Sequence, residues 1–550
     1  MLDFLSQKGL FKAHILLPYC RAKIFDKCIN KLLLSTVMKK QNTILLLFLF
    51  FSFDSQSQNI SKLRLQNHLE YLASDELEGR ETTYRGQKIA AKYIANHFRS
   101  LGLKNPTSDN SFSQPYPLIH SIVSDKSNLS IYKNKSLIKQ FDKFGEEYIP
   151  LNTSSDTIIT NQVVFVGYGI SSKNGYSDYD SNFSYKGKIL LALRGLPNDS
   201  NILSQVPLRA GSPMFKRITA SQKGAAALLI IDESKEYSFT DSYKDNLNNL
   251  LRGSIYPPSQ NRNDIPVILI SKQLANKLLA SSKTSVDKLE EEINKTKSNS
   301  LKSLNDISVS LDLKRNVTTE TGENILGVIE GSDPILKNEF VVVTAHYDHV
   351  GKNLSTNVVF NGADDDASGT SAVLELAEVF SKIKTKRSII FMAVSGEEKG
   401  LLGSSFYTDN PIIPLENTVA NINIDMIGRT DPKYDSLRSN NYVYVIGSDK
   451  LSLELDSILN VANKKSVNLI LDYKYNDDND PNQFYRRSDH YNFAKKNIPV
   501  IFFFNGTHVD YHQSTDDIDK IDFDALQKRT ELVYTTILEI ANATSKPKLK

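Results

Sequence analysis

Cysteine is almost missing from this 550-residue sequence, and its two copies, Cys20 and Cys28, both stand upstream of Met38. A folded chain beginning near Asn59 then holds no thiol, which excludes a disulfide framework, a cysteine nucleophile and a lipidated cysteine. An excess of one charge sign is missing too. Residues 1–58 hold eight of the 66 Lys and Arg and three of the 63 Asp and Glu, which leaves 58 against 60 for the body. That balance gives no electrostatic reason to expect nucleic acid. Long apolar runs are equally scarce. The marked one, Ile44 to Phe53, falls well short of the roughly 20 residues a membrane span needs.

What that run does match is a secretory signal, because Lys39 and Lys40 precede it and the polar segment Asp54 to Gln58 follows. Met38 is the natural start of such a signal. Residues 1–37 therefore read as an upstream extension, 38–58 as the signal peptide, and the mature chain as beginning between about residues 54 and 62. The expected product is exported, to the periplasm or the cell exterior, and keeps no stable membrane anchor after cleavage.

Ordinary apolar and charged fractions and this length suit a globular protein of two or three domains. From Ser61 to Leu103 apolar residues recur at helical spacing, as in Leu65, Leu69 and Leu72, around a polar loop, SDELEGRETTYRG (Ser74 to Gly86). Residues 104–150 read as connecting strands. Strands follow at Gln162 to Gly169, Gly187 to Arg194, Ala225 to Ile231 and Pro266 to Ile270, with helices at Phe215 to Lys223 and Lys272 to Leu279. This β/α unit resembles the protease-associated (PA) domain through Tyr168 to Ile170, Gly187 to Ile189 and Lys223 to Ala225. It has no histidine, so a role in substrate gating or partner contact is expected of it. Residues 281–305, rich in Ser, Lys and Asn around a short charged helix, read as a linker.

Strands and helices then alternate to the end of the chain, which predicts an α/β fold: a mixed, largely parallel sheet sandwiched by helices, with the β/α unit inserted. The organising stretch is EFVVVTAHYDHVGKNLSTNVVFNGADDD, Glu339 to Asp366. A β-branched strand ends in His346, Asp348 and His349, and a loop delivers Asp364, Asp365 and Asp366. Three adjacent carboxylates beside imidazoles repel one another unless a cation sits among them, and these donor types suit a divalent metal. Glu397 and Glu398, Asp425, and His508 and His512 likewise follow predicted strands. Ligands gather at such carboxyl ends.

In order, AHYDHVG, NGADDDASG, SGEEKGLLGS, NIDMIGR and YHQSTDD resemble the motifs of the di-zinc aminopeptidases of the aminopeptidase Y and bacterial leucyl aminopeptidase type, relatives of glutamate carboxypeptidase. The resemblance implies a peptidase domain built from residues 59–125 and 306–545, with a PA domain and flanking linkers at 126–305. It implies two Zn2+ per chain, with Co2+ or Mn2+ open by ligand type: His346 and Asp425 on one ion, Glu398 and His512 on the other, and Asp364 bridging both. Glu397 is implied as general base and Asp348 as the carboxylate that orients His346. Asp366 is read as a helix cap, and His349 and His508 as supporting residues. The segment Arg486 to Phe493 resembles a stretch beside the family's site, which implies Asp489 and His490 as residues lining the substrate cleft. The implied activity is removal of N-terminal residues from peptides with a free N-terminus. Other readings are a dipeptidase or carboxypeptidase of the same clan, a single-zinc glutaminyl cyclase, and a receptor-like binding protein. The complete ligand set favours two metals and hydrolysis.

Overall fold

The computed structural model describes residues 59–550 apart from the short segments 108–110, 152–155, 173–174, 261–263 and 297–301, so the expected extension and signal peptide lie outside the described residues. Two sheets organise the rest. The first has nine strands, in spatial order Ile470–Asp472, Tyr442–Ile446, Val500–Phe504, Thr418–Ile424, Phe340–His346, Ser388–Val394, Arg315–Ile329, Ser113–Val123 and Ser254–Tyr256. Strands 500–504, 418–424, 340–346 and 388–394 pair in parallel, and antiparallel strands join them on both sides. The sheet is thus mixed, with parallel pairing confined to its centre and to one edge pair.

The sequence explains why the centre is parallel. Its strands are buried on both faces, as a parallel sheet covered by helices requires. Val341, Val343 and Ala345 pack into one core with the helices Lys62–Leu72, Gly369–Ser381 and Phe523–Asn542, while Val342 turns to the opposite core with Tyr407 and Phe493. Ile389, Phe391 and Ala393 alternate with Ile390, Met392 and Val394 in the same way. Burying one such side chain contributes about 1.5–3 kcal/mol. A slip by one residue would exchange the two faces of a strand, so this packing fixes where each strand ends.

The second sheet has eight strands, in order Ser136–Phe141, Asn128–Lys133, Lys302–Leu313, Thr157–Phe165, Ile189–Leu193, Ala227–Ile231, Val267–Ile270 and Tyr148–Pro150. Its centre, from 157–165 to 267–270, is also parallel. Two features depart from the sequence reading. The supposed linker carries the helix Val286–Thr296, whose Val286, Leu289 and Ile293 are buried, and the start of a strand that pairs on both edges. The short charged helix was expected, but polar residues hid its buried stripe and the strand, since only one face of each is buried. The amphipathic helix Phe239–Arg252 was also unread, and the strand after it, Ser254–Tyr256, pairs with the first sheet, not the second.

Candidate metal centre

The carboxyl ends of the parallel strands converge on one cluster. His346 is the last residue of its strand, Asp425 follows Ile424, Glu397 and Glu398 follow Val394 after a turn, and the strand Val500–Phe504 runs on to His508 and His512. The Asp364–Asp366 turn is delivered by Gly362 in the left-handed region, φ +57°, where an added Cβ would meet the Asp365 carbonyl oxygen at 2.2 Å. A cis peptide joins Asp365 to Asp366. Asp366 is buried and acts as a fastener: Oδ1 accepts the Gly369 and Met426 N–H groups at 2.9 and 3.0 Å, and Oδ2 accepts the His346 N–H at 3.1 Å. It therefore caps the helix that begins at Gly369 and ties it to two strand ends, at His346 and just past Ile424.

Asp365, not Asp364, stands in the middle. One of its oxygens is 3.2 Å from His346 Nε2 and the other 3.1 Å from His512 Nε2. Asp364 faces away: its carboxylate accepts the Gly428 N–H at 2.7 Å and meets His508 Nε2 at 3.2 Å. The central position expected of Asp364 is thus occupied by Asp365. The cause is backbone geometry. Asp516 accepts the N–H groups of both Asp364 and Asp365, at 3.2 Å, and pins the turn so that successive side chains diverge.

Around Asp365 the described residues form two groups whose candidate ligand atoms lie within 4.8 Å of one another: His346, Asp365 and Asp425, and His349, Asp365 and Glu398. Asp425 Oδ1 is 3.6 Å from His346 Nε2, and its other oxygen accepts from Ser488 at 2.6 Å. Glu398 Oε1 is 3.0 Å from His349 Nδ1 and 3.2 Å from His512 Nε2. His349, read as a supporting residue, thus stands inside the cluster, while His508 supports it through Asp364. Asp348 also differs in detail from its expected role. Its backbone carbonyl, at 3.0 Å, meets His346 Nδ1 more closely than its carboxylate does at 3.9 Å. The carboxylate instead accepts Thr82 Oγ1 at 2.7 Å and the Glu397 N–H at 3.3 Å. It holds the Glu397 turn.

The electrostatics of the cluster suit a bound cation. Burial pushes His346 down, yet the carboxylates of Glu397, Asp365 and Asp425 raise it well above the usual imidazole range. Burial likewise pushes Asp365 up, but hydrogen bonds from His346 and His512 hold it well below the usual carboxylate range. Glu398 Oε1 and both ring nitrogens of His349 are buried, and the close contact between Glu398 Oε1 and His349 Nδ1 lacks hydrogen-bond geometry. Orphaned donors and acceptors of this kind, nitrogen and oxygen in one cage, fit a borderline dication such as Zn2+. Glu397 behaves differently from its neighbour. Burial, with Glu398, Asp425 and Asp489 nearby, raises it well above its ordinary range, against the pull of His346.

A cavity over the cluster is lined by His346, Asp365, Glu397 and Asp425 on its polar side and by Met426, Phe484, Phe502, Phe504 and Tyr511 on its apolar side. Asp489 and His490 do not line it. Both are fully buried, His490 stacks on Phe502 with ring centres 4.8 Å apart, and burial raises Asp489 to about 7. The cleft-lining role read for them is therefore corrected to a position behind the cavity wall.

Several residues that hold the site were missed or, like Arg80 in the Ser74–Gly86 loop, read as part of a helix connection. Arg80 is buried and donates to the carbonyls of Tyr347, Leu72, Asn361 and Gly362. Glu81, also buried, pairs with Lys399 at 2.8 Å and with Arg252 at 3.1 Å. Arg252 ends the helix Phe239–Arg252 and donates to the Lys352 carbonyl at 2.7 Å, and Asn248 of that helix accepts the Leu354 N–H at 2.7 Å. The only sequence signal was the density of charge and glycine in the Ser74–Gly86 loop.

Residues 324–537 match the model of Peptidase family M28, and residues 159–278 that of the PA domain. Aminopeptidase YwaD of Bacillus subtilis (strain 168) is 31% identical over 253 residues, 42% of this chain and 47% of that protein. A probable zinc metalloprotease of Pyrenophora teres f. teres (strain 0-1) is 41% identical over 114 residues, 20% of this chain and 22% of that protein. The chain thus spans less than half the length of these curated relatives. Among solved structures, an aminopeptidase from Aneurinibacillus sp. strain AM-1 matches with TM-score 0.53 and 20% identity, covering 89% of this chain and 96% of that one. BSAP, a zinc aminopeptidase from Bacillus subtilis, matches with TM-score 0.51 and 22% identity, covering 89% and 98%. At these identities the likeness is one of fold.

Proposed function

We propose that this chain, whose residues 324–537 match the model of Peptidase family M28 and residues 159–278 that of the PA domain, is a zinc-dependent aminopeptidase that hydrolyses N-terminal residues from peptides. The observation that carries this reading is Asp365, one carboxylate facing two separate groups of ligand-type side chains. His346 and Asp425 would hold one ion, Glu398 with His512 and His349 the other, and Asp365 both. Bound there, a zinc pair would polarise the scissile carbonyl and acidify the attacking water.

The remaining chemistry belongs to the chain's own groups. Glu397, with its raised affinity for a proton, takes one from the water as the oxygen bonds to the carbonyl carbon, and gives it to the leaving amine as the C–N bond breaks. Asp348 keeps Glu397 in place through its backbone N–H. The cavity lining carries three carboxylates, Asp365, Glu397 and Asp425, against one guanidinium, Arg487, which favours a free α-amine, and so the aminopeptidase reading, over a carboxypeptidase. The apolar wall of Met426, Phe484, Phe502 and Phe504 suits an apolar first side chain. The basic and apolar pattern of residues 38–58 supports an exported enzyme, and among the described residues no helix is long and apolar enough to cross a membrane.

The test is a panel of aminoacyl substrates, N-blocked peptides and C-terminal reporters, assayed before and after chelation. Cleavage of free-amine substrates only, abolished by chelator and restored by Zn2+, is expected. Cleavage of N-blocked peptides, or activity that survives removal of all metal, would contradict the proposal.

A further inference from the structure

Away from the cluster just described, a second set of ligand-type side chains meets where three helices touch. His68 lies on Lys62–Leu72, His97 on Arg85–Ser100 and Glu378 on Gly369–Ser381. One candidate ligand atom from each lies within 4.8 Å of the others. The two imidazoles meet edge to face, with ring centres 4.6 Å apart. Glu378 is nine residues past Gly369, about 13–14 Å further along the helix from the Asp364–Asp366 turn.

From this geometry we propose that His68, His97 and Glu378 form a separate metal site, for a borderline dication of the Zn2+ type, that fastens the two N-terminal helices to the helix leading out of the catalytic turn. Each imidazole has a partner on its far nitrogen. His68 Nδ1 is 2.7 Å from Tyr93 Oη, and His97 Nε2 is 3.3 Å from the Leu374 carbonyl. Metal-bound histidines characteristically send their other N–H to an acceptor of this kind, which fixes the tautomer and leaves a lone pair on the inner nitrogen. That leaves His68 Nε2 and His97 Nδ1 as ligands. The His68 ring is buried and the His97 ring half-buried, which disfavours the charged form. Neutral imidazole is the ligating form.

Glu378 is available as the third ligand. It contacts Arg64 Nε at 3.4 Å and Lys382 at 2.9 Å, but Arg64 has a closer two-point partner in Glu375, at 2.6 and 2.7 Å. Arg64 therefore stays paired if Glu378 turns to an ion. Glu378 and His97 are partly exposed, so water can complete the coordination, and a set of two imidazoles and one carboxylate suits Zn2+, Ni2+ or Cu2+ over Ca2+ or Mg2+.

The experiment is elemental analysis and a Zn2+ competition titration on the full chain, comparing wild type with His97→Gln, Glu378→Gln and Tyr93→Phe. The first two should hold one Zn2+ per chain less than wild type, while peptide hydrolysis persists and the loss is confined to the site at the three helices. Tyr93→Phe should keep the site but bind roughly tenfold more weakly, the effect of removing a partner behind a ligand. Added Zn2+ should raise the melting temperature of the zinc-loaded wild type and leave that of His97→Gln unmoved. Equal zinc content and equal thermal response in wild type, His97→Gln and Glu378→Gln would overturn the proposal.

Discussion

In the first sheet the parallel strands end at His346, Glu397 and Glu398, and Asp425. In the second sheet the corresponding ends carry Tyr168, Arg194, Glu233 and Lys272, which line a groove together with the helix Val286–Thr296. Both sheets obey the same rule of topology. The difference is how charge is satisfied. Arg194 meets Asp232 at 3.4 Å, Glu233 accepts the Lys272 N–H at 2.9 Å, and Lys272 meets Asp287 at 2.5 Å, so the second sheet's charges are neutralised locally. Among the described residues, the first sheet's Asp365, Asp425 and Glu398 pair with imidazoles, and Asp425 also with the Ser488 hydroxyl, with no Lys or Arg ion pair. Converging strand ends supply a place for chemistry, and the side chains decide whether any occurs there.

The largest effect that would sharpen this contrast is at Glu397. Glu397→Gln keeps size and removes the proton acceptor, so kcat should fall by about 10²- to 10⁴-fold with zinc content unchanged. Glu233→Gln, at the equivalent end in the second sheet, should leave the rate unaltered. Steady-state kinetics with elemental analysis checks both, and a comparable loss from Glu233→Gln would break the contrast.

A smaller difference is expected in stability. Gly79 sits beneath the site at φ +67°, and an added Cβ would lie 2.3 Å from the Gly351 carbonyl oxygen and 2.4 Å from that of Phe360. Gly195 in the second unit has φ +66° and nothing within 4 Å. Gly195→Ala should therefore cost only the left-handed strain, about 1–2 kcal/mol. Gly79→Ala adds a clash and should cost roughly 1–3 kcal/mol more. Denaturant midpoints would separate them. Equal midpoints would show that the site loop yields.

Smaller still is the effect of loosening the contact between the two units. Arg252→Ala removes one of the two cations on buried Glu81 and the donor to the Lys352 carbonyl. With Lys399 still on Glu81, a fall of up to about tenfold in kcat/KM, zinc retained, is expected from losing a charged hydrogen bond. An unchanged kcat/KM would mean that the second unit does not position the first.

The two regions should also differ in the pH window over which stability changes. Burial holds His68 at about 3, below its unfolded 6.5, so between these values the unfolded chain binds the extra proton and stability falls as pH falls. Burial holds Lys216, which donates to the Tyr168 and Gly195 carbonyls, at about 7 against 10.5. Its folded form gives up the proton first, so stability rises with pH from about 7 towards 10.5. Under chelation, His68→Gln should flatten only the acid slope and Lys216→Met only the alkaline one. Melting curves across pH report both slopes.

Much of the catalytic sheet was legible because its buried strands are continuous β-branched runs that stop at polar clusters. Chemistry narrowed the site to a few motifs, yet could not choose within them. Asp364, Asp365 and Asp366 are identical as residues, and their three positions come from Gly362, Asp516 and the backbone amides that the Asp364 and Asp366 carboxylates meet. His349 and His508 raised the same difficulty. The helix missed outright, Phe239–Arg252, and the helix Val286–Thr296, read only as a charged linker helix, each bury a single stripe, so polar composition masked their packing. Glu81, Thr82 and Arg252 act through contacts hundreds of residues apart, which spacing along the chain cannot reveal.

The measurement that bears most directly on the central claim is the zinc content of two variants one residue apart, Asp365→Asn and Asp364→Asn, by elemental analysis after gel filtration. With Asp365 shared between both groups, Asp365→Asn should lose the zinc of the whole cluster and all activity, while Asp364→Asn, altering a carboxylate bonded to Gly428 and His508, should keep most of its zinc. Retention of cluster zinc by Asp365→Asn together with its loss from Asp364→Asn would contradict the account.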